Sequence, residues 1–465
     1  MSFTLINICF LITTLLIFYA VRKHYRKYVL LIASAGYCFY YSRVSLVYII
    51  GIAFVVYLLG RAIEYFSRLS RERLKKAAYY LGLFLLIGQF VLLKEVTGRG
   101  MLSLIGLSFF SFQMIAYLVD VYGKKTEATG NYFDILLSFL WFPKLFSGPV
   151  EKVQSITKQL EEVRSFRLFA KDNLYNCLIY ILYGFFCKLV VADRISNHVD
   201  IIFGQPDAFS SAWLILGSLL YTMQIYFDFA GYSNIVIGIS KLFGIDLVQN
   251  FNVPYAAENI SDFWGRWHIS LSSWLREYIY IPLGGNRKGK MRKWINMLVV
   301  FLICGFWHGR GLSFIFWGML HGAYSILNGI FKDKGIKWII SGYSGRIITF
   351  AEVSFAWIFF KASSLRTALF YVSRMLTVRK SDMDFYTQGV YVQMTVWDVS
   401  IILIGMIIVG CIELVSYKKK MEPVRFLSER SEILKAVLIY VFVISILVFG
   451  IYGNTSVSEF IYMKF

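Results

Sequence analysis

The chain has 465 residues, 58% hydrophobic, 18% aromatic and only 16% charged, against about 45–50% apolar and about 25% charged in soluble domains. With a mean hydropathy of +0.60, these values exclude a water-facing globule, a disordered chain and a disulfide scaffold, and leave a polytopic membrane protein. With no long linker or low-complexity tract it reads as a single domain, 1–465. The net charge of +20 would suggest nucleic acid in a soluble protein, but in a membrane protein such an excess marks cytoplasmic loops, so no nucleic-acid partner is expected.

The first apolar run, residues 3–21, has no basic residue before it and RKHYRK after it at 22–27. A cleaved signal peptide shows the reverse order, so this run is read as an uncleaved span with the N-terminus outside. About 20 residues cross roughly 30 Å of hydrocarbon, and further candidate spans fall at 28–42, 44–60, 78–93, 101–122, 132–149, 174–192, 209–229, 294–308, 312–330, 347–361, 399–416 and 435–452. Several are short, so roughly 11 true crossings are expected, the remainder being re-entrant or interfacial helices. Trp141-Phe142-Pro143 and the turn at 147–149 mark one such re-entrant element. Basic clusters at 22–27, 67–76, 123–125, 287–293, 332–337 and 418–420 all sit at span ends. The first three fall inside by simple alternation. Six scattered cysteines without a C-x-x-C pair read as small hydrophobes.

The segment 250–311 departs from plain membrane helix. Ser261 is a plausible N-cap, and one helix is expected from there to Pro282. Trp264, His268, Leu271, Leu275 and Tyr278 then share a stripe, with Arg266, Ser270, Ser273 and Glu277 opposite. Such a helix is too charged to face lipid. The following helix, Trp294 to His308, rises about 21 Å from a basic loop, and Gly309-Arg310-Gly311 breaks it before the chain returns through 312–330. The tip carrying His308 and Arg310 therefore lies deep in the bilayer. Irregular backbone at that depth must line a cavity or be packed in protein.

Of five histidines, His24 and His198 are expected in solvated loops, whereas His268, His308 and His321 cluster in one window. That cluster points to chemistry, since a neutral imidazole is a general base toward a hydroxyl. A zinc site is disfavoured, because no Cys, Asp or Glu stands at ligand spacing, and no metal is expected. GGNRKGKM at 284–291 resembles a P-loop in spacing, but Met291 stands where Ser or Thr is needed and no strand precedes it. Arg287, Lys288 and Lys290 then either anchor the chain at the membrane surface or hold the phosphate of an anionic donor. Asp228 is either a proton or ion site or a buried acid paired to Arg, Tyr or Asn.

The runs QIYFDFAGYSNIVIGISKLFGI, NFNVPYAAENISDFWGRWHISLSSWLREYIYIPLGGNRKG, GFWHG and WGMLHG resemble the membrane-bound O-acyltransferase superfamily, and within it the bacterial alginate O-acetylation subfamily. Weaker matches lie at 108–125 and 460–465. The resemblance implies an all-α fold, a helical wall around a thin centre crossed by a tunnel, with a catalytic core near 224–330. It assigns the catalytic histidine to His308 in WHG and a supporting one to His268 in RWH. Trp267, Ser270, Arg276, Trp307, Arg310, His321 and Asp228 are expected to line the substrate path, with Arg310 or a backbone amide steadying the oxyanion. It further implies transfer of an acyl group, foremost acetyl, from a cytoplasmic thioester such as acetyl-coenzyme A to a hydroxyl outside a bacterial plasma membrane, with no bound cofactor. Membrane lipid and an extracellular or periplasmic relay protein serving an exopolysaccharide are the expected partners. The related teichoic-acid D-alanyl transferases share the WH and WHG positions and would bring an acyl carrier protein instead. A translocator of polysaccharide or lipid carrier is the non-enzymatic alternative.

Overall fold

Apolar segments in a bilayer satisfy their backbone polar groups internally by forming helices. The computed structural model, which describes residues 5–98, 104–170, 173–336, 339, 341–378 and 385–452, is accordingly helical, with no strand among the described residues. The expected features at 3–4, 101–103, 337 and 460–465 lie outside them. The chain divides into two units. Met1–Cys177 with Val236–Val248 forms the first, and Leu178–Ile235 with Gln249–Phe465 the second.

The first unit contains α1 (Leu5–Ala20), α2 (Arg26–Tyr41), α3 (Arg43–Arg68), α4 (Glu72–Gly98), α5 (Leu107–Tyr122), α6 (Tyr132–Leu140) and α7 (Val153–Glu162). As expected, the helix at 132 stops early. Past Leu140 the chain runs through a buried 3₁₀ turn, Phe142–Lys144, and an irregular stretch. Two of its polar groups find partners on other helices: Ser34 Oγ accepts from the Phe142 N–H at 3.3 Å, and Lys144 Nζ donates to Gln113 Oε1 at 2.7 Å. The basic cluster at 22–27 is not uniformly solvated. Arg26 is buried and donates to the carbonyl of Phe166 at 2.8 Å, and Lys27 is buried 3.1 Å from Asp134.

In the second unit, α8 (Asn173–Phe185, whose first residues belong to the first unit) continues through a π segment, Phe186–Ala192, into α9 (Asp193–Gly204). The remaining helices are α10 (Ser211–Leu242, whose last turns belong to the first unit), α11 (Ile260–Arg266), α12 (Ile269–Leu275), α13 (Lys290–His308), α14 (Leu312–Asp333), α15 (Gly342–Lys361), α16 (Leu365–Met375), α17 (Phe385–Tyr391), α18 (Val396–Lys418), α19 (Pro423–Ser428) and α20 (Glu432–Phe449). Seven described helices are long and apolar enough to cross a membrane, and α1 and α5 are apolar but shorter, against the roughly 11 crossings expected. His198 is corrected. It sits inside α9, buried, with Nδ1 3.2 Å from the carbonyl of Val392. The helix at 261–282 is corrected too. Asn259, not Ser261, caps it by accepting from the Asp262 N–H at 3.0 Å, and the helix breaks at His268.

Candidate functional site

Glycine brings α13 and α14 into backbone contact. A Cβ added at Gly305 would lie 2.3 Å from the carbonyl oxygen of Phe314, and one at Gly318 would lie 2.3 Å from that of Phe301. No larger residue fits either position, which is the small-residue packing that membrane helices use to approach closely. The close approach sets the last residue of α13, His308, against the middle of α14. The His308 ring centroid is 5.1 Å from that of Trp317, and Trp317 is 4.8 Å from His321. All three side chains are at most 2% exposed. Trp317, His321, Ser325, Asn328 and Lys332 follow at spacings of four, four, three and four, so they form one stripe along α14.

A second break meets the first. α11 ends where Trp267 turns extended, and His268 takes a left-handed conformation at φ 44°, ψ 52° before α12 begins. A side chain there costs about 1–2 kcal/mol, so the surroundings must hold it. The segment 250–252 does so. The Ile269 N–H donates to the Asn250 carbonyl and the Asn252 N–H to the Arg266 carbonyl, both at 3.0 Å. Asn250 Oδ1 also accepts from Ser270 Oγ at 2.7 Å. The strained conformation aims His268 inward, where its centroid lies 4.7 Å from Phe229, 5.8 Å from Trp307 and 6.4 Å from His308. Strain of this kind clusters at functional sites.

An aromatic shell closes around the histidines. Trp267 packs on Trp357 at 5.0 Å, Trp357 stacks on Trp317 at 5.6 Å, and Trp264 Nε1 donates to His321 Nδ1 at 3.3 Å. The structure thus gathers His268, His308, His321, Trp267 and Trp307 in one place. The other expected residues are placed as follows. Ser270 is buried and its Oγ donates to Asn250 Oδ1, bracing the break. Arg276 is exposed at the start of a π segment, and Arg310 is half-buried at the hairpin tip. Asp228 is a buried acid whose carboxylate lies 2.6 Å from Lys188 Nζ, which is itself 2.8 Å from Asp193. Asn250, Trp264 and Trp317 fall within the family-like runs and Trp357 outside them, but spacing alone does not mark any of the four as a site residue.

Arg287, Lys288 and Lys290 are exposed on a turn whose Gly284, Gly285 and Gly289 have positive φ, and Lys290 is 2.9 Å from Asp333. That ion pair ties the two feet of the hairpin together. Beside those feet lies a cleft of about 620 Å³, lined among others by Glu258, Ser261, Lys293, Ser325, Asn328 and Lys332. Its Ser325 stands one turn from His321, so the α14 stripe runs from the cleft to the histidines. Among the described residues no three His, Cys, Asp or Glu side chains are grouped to hold a metal ion.

Residues 131–365, which include all of these histidines, match the membrane-bound O-acyltransferase family. The chain is similar to the probable alginate O-acetylase AlgI of Pseudomonas syringae pv. tomato, at 37% identity over 269 residues, covering 57% of this chain and 50% of that protein. It is also similar to the peptidoglycan O-acetyltransferase of Helicobacter pylori, at 37% identity over 299 residues, covering 57% and 55%. A teichoic acid D-alanyltransferase of Bacillus subtilis is 29% identical over 281 residues, covering 56% and 69%. The chain spans about half the length of the first two relatives.

Proposed function

This chain belongs to the membrane-bound O-acyltransferase family, and from that premise we propose that it transfers an acyl group, foremost acetyl, from a cytoplasmic thioester such as acetyl-coenzyme A to a hydroxyl on the outer side of a bacterial plasma membrane. The product is an O-acetylated extracellular polysaccharide, reached through an extracellular or periplasmic relay protein. The observation that carries this reading is the meeting of His268 and His308 at two helix breaks, 6.4 Å apart between ring centroids and buried in aromatic side chains.

The chemistry suits such a site. A thioester is already activated, so the acceptor chiefly needs its proton removed and its oxygen aimed at the carbonyl carbon. His308 takes that proton and returns it to the leaving thiolate. His268, locked by its left-handed backbone, positions the reactants. The aromatic shell excludes water that would otherwise hydrolyse the donor. The cleft supplies the donor's entry, with Lys293 and Lys332 on its lining suited to an anionic carrier of the thioester.

The test is a cellular one. His308→Ala, expressed at the wild-type level, is expected to abolish acetyl ester on the surface glycan, measured by ester release and mass spectrometry. Full acetylation by the variant would overturn the assignment. Loss of esterified D-alanine instead of acetyl would move the acyl group to D-alanine.

A further inference from the structure

We propose that Trp317 and His321 form a paired hydrogen-bond donor for the oxyanion that develops on the thioester carbonyl; this rests on the acyl-transfer reading above. The argument begins with a tautomer. Trp264 Nε1–H can only donate, and it donates to His321 Nδ1 at 3.3 Å. Nδ1 is therefore the acceptor nitrogen, and the neutral ring carries its proton on Nε2. His321 is fully buried, and its Nε2–H has no hydrogen-bond partner among the described residues. Neither has the indole Nε1–H of Trp317, also fully buried.

Two buried donors without acceptors are costly to keep, and these two belong to neighbouring rings whose centroids are 4.8 Å apart. The Trp317 ring is also 5.1 Å from His308. Both groups offer only a proton here, so the ligand they suit is an acceptor oxygen, and one whose charge grows during reaction gains most from donors already in place. The tautomer also bars His321 from acting as the base, because its lone-pair nitrogen is occupied by Trp264. The oxyanion role expected of Arg310 thus moves from the half-buried hairpin tip to the buried α14 stripe.

The step balances as follows. The acceptor oxygen bonds to the carbonyl carbon while its proton passes to His308, and the C=O π pair moves onto oxygen, where Trp317 and His321 donate to it. Re-formation of C=O then breaks the C–S bond. The thiolate takes the proton from His308, leaving an ester and a thiol.

The experiment uses the purified full-length protein in lipid nanodiscs, with acetyl-coenzyme A as donor and a chito-oligosaccharide as acceptor, following thiol release. Trp317→Phe keeps the ring and removes only the N–H. It is expected to lower kcat about 100-fold with the donor KM changed less than about threefold. His321→Gln, which retains an N–H near the Nε2 position, is expected to keep at least about tenfold more activity than His321→Ala. An active wild type with an unimpaired Trp317→Phe variant would overturn the donor pair alone, as would a loss confined to KM. A wild type that releases no thiol would overturn the acyl-transfer reading, and the donor pair with it. If His321→Ala does not fold, the Trp317→Phe result decides.

Discussion

Two hairpins of the same chain, α3–α4 and α13–α14, differ in what their helices bury. The buried residues of α3 are Ser45, Ile49, Ala53, Val56, Gly60 and Ile63, nearly all small or aliphatic. The outer faces expose Val47 and Phe84 by 71% and 75% of their surface. This is a wall facing lipid, continuous and chemically mute. In α13–α14 the buried residues include Asn296, Trp307 and His308 on one helix and Ser313, Trp317, His321 and Ser325 on the other. Polar groups there line a stripe ending at a helix break. Hydropathy ranks α3–α4 as the more apolar pair, and α13 is not among the helices apolar enough to cross a membrane, but hydropathy alone does not locate the buried polar stripe. What separates them is where glycine lets backbones touch and where the helix stops.

That contrast can be broken or sharpened by mutation, and the largest effect should come from the glycines. Gly318→Val places a side chain against a backbone carbonyl of α13 that cannot step aside. A loss of about 3 kcal/mol is expected, read as a lower melting temperature and aggregation on size-exclusion chromatography. A next effect probes the α14 stripe. Trp264→Phe removes the donor that sets the His321 tautomer, and thiol release should fall about tenfold with roughly 1 kcal/mol of lost stability. The mute hairpin should respond with the opposite sign. Gly88 in α4 has nothing within 4 Å of an added Cβ, so Gly88→Ala should raise stability by about 0.5–1 kcal/mol. A destabilised Gly88→Ala would undo the contrast.

The smallest effect is electrostatic and lies at the cleft. Arg346 donates to Glu258 at 2.9 Å and holds its carboxyl below the ordinary value. A depressed carboxyl pKa stabilises the fold above the unfolded value and loses that contribution as pH falls through the folded one. The pair is partly exposed, so less than about 1 kcal/mol is expected. The melting temperature of Glu258→Gln should therefore lie below wild type at pH 7 and converge with it in acid. A gap that persists at pH 3 would assign it to packing instead.

The α13–α14 hairpin was legible in the sequence because three local signals coincide: a basic foot, a helix of known rise, and Gly309-Arg310-Gly311 at its end. The break at His268 was not. Trp264, His268, Leu271 and Leu275 repeat at four, three and four, the spacing of an unbroken helix, while the residue that holds the break, Asn250, is 18 positions upstream. Trp317 stands at the head of the WGMLHG run, but nothing in its spacing marks its N–H. Its importance lies in an N–H whose surroundings only the fold determines. Lys27 misled for a similar reason, since its partner Asp134 is 107 residues away. Periodicity and charge locate helices and their ends, whereas buried polar partners come from contacts that local patterns do not encode. The roles of His308 and His268 entered through the family motifs rather than through spacing.

The central claim is acyl transfer at His308, and one measurement tests it most directly. Purified protein in nanodiscs is loaded with acetyl-labelled coenzyme A and a hydroxyl acceptor, and label transfer is followed in a single turnover. The account predicts transfer by the wild type and a drop of at least about 1,000-fold for His308→Ala, with the variant folded and donor binding retained. Transfer by His308→Ala at the wild-type rate would contradict it.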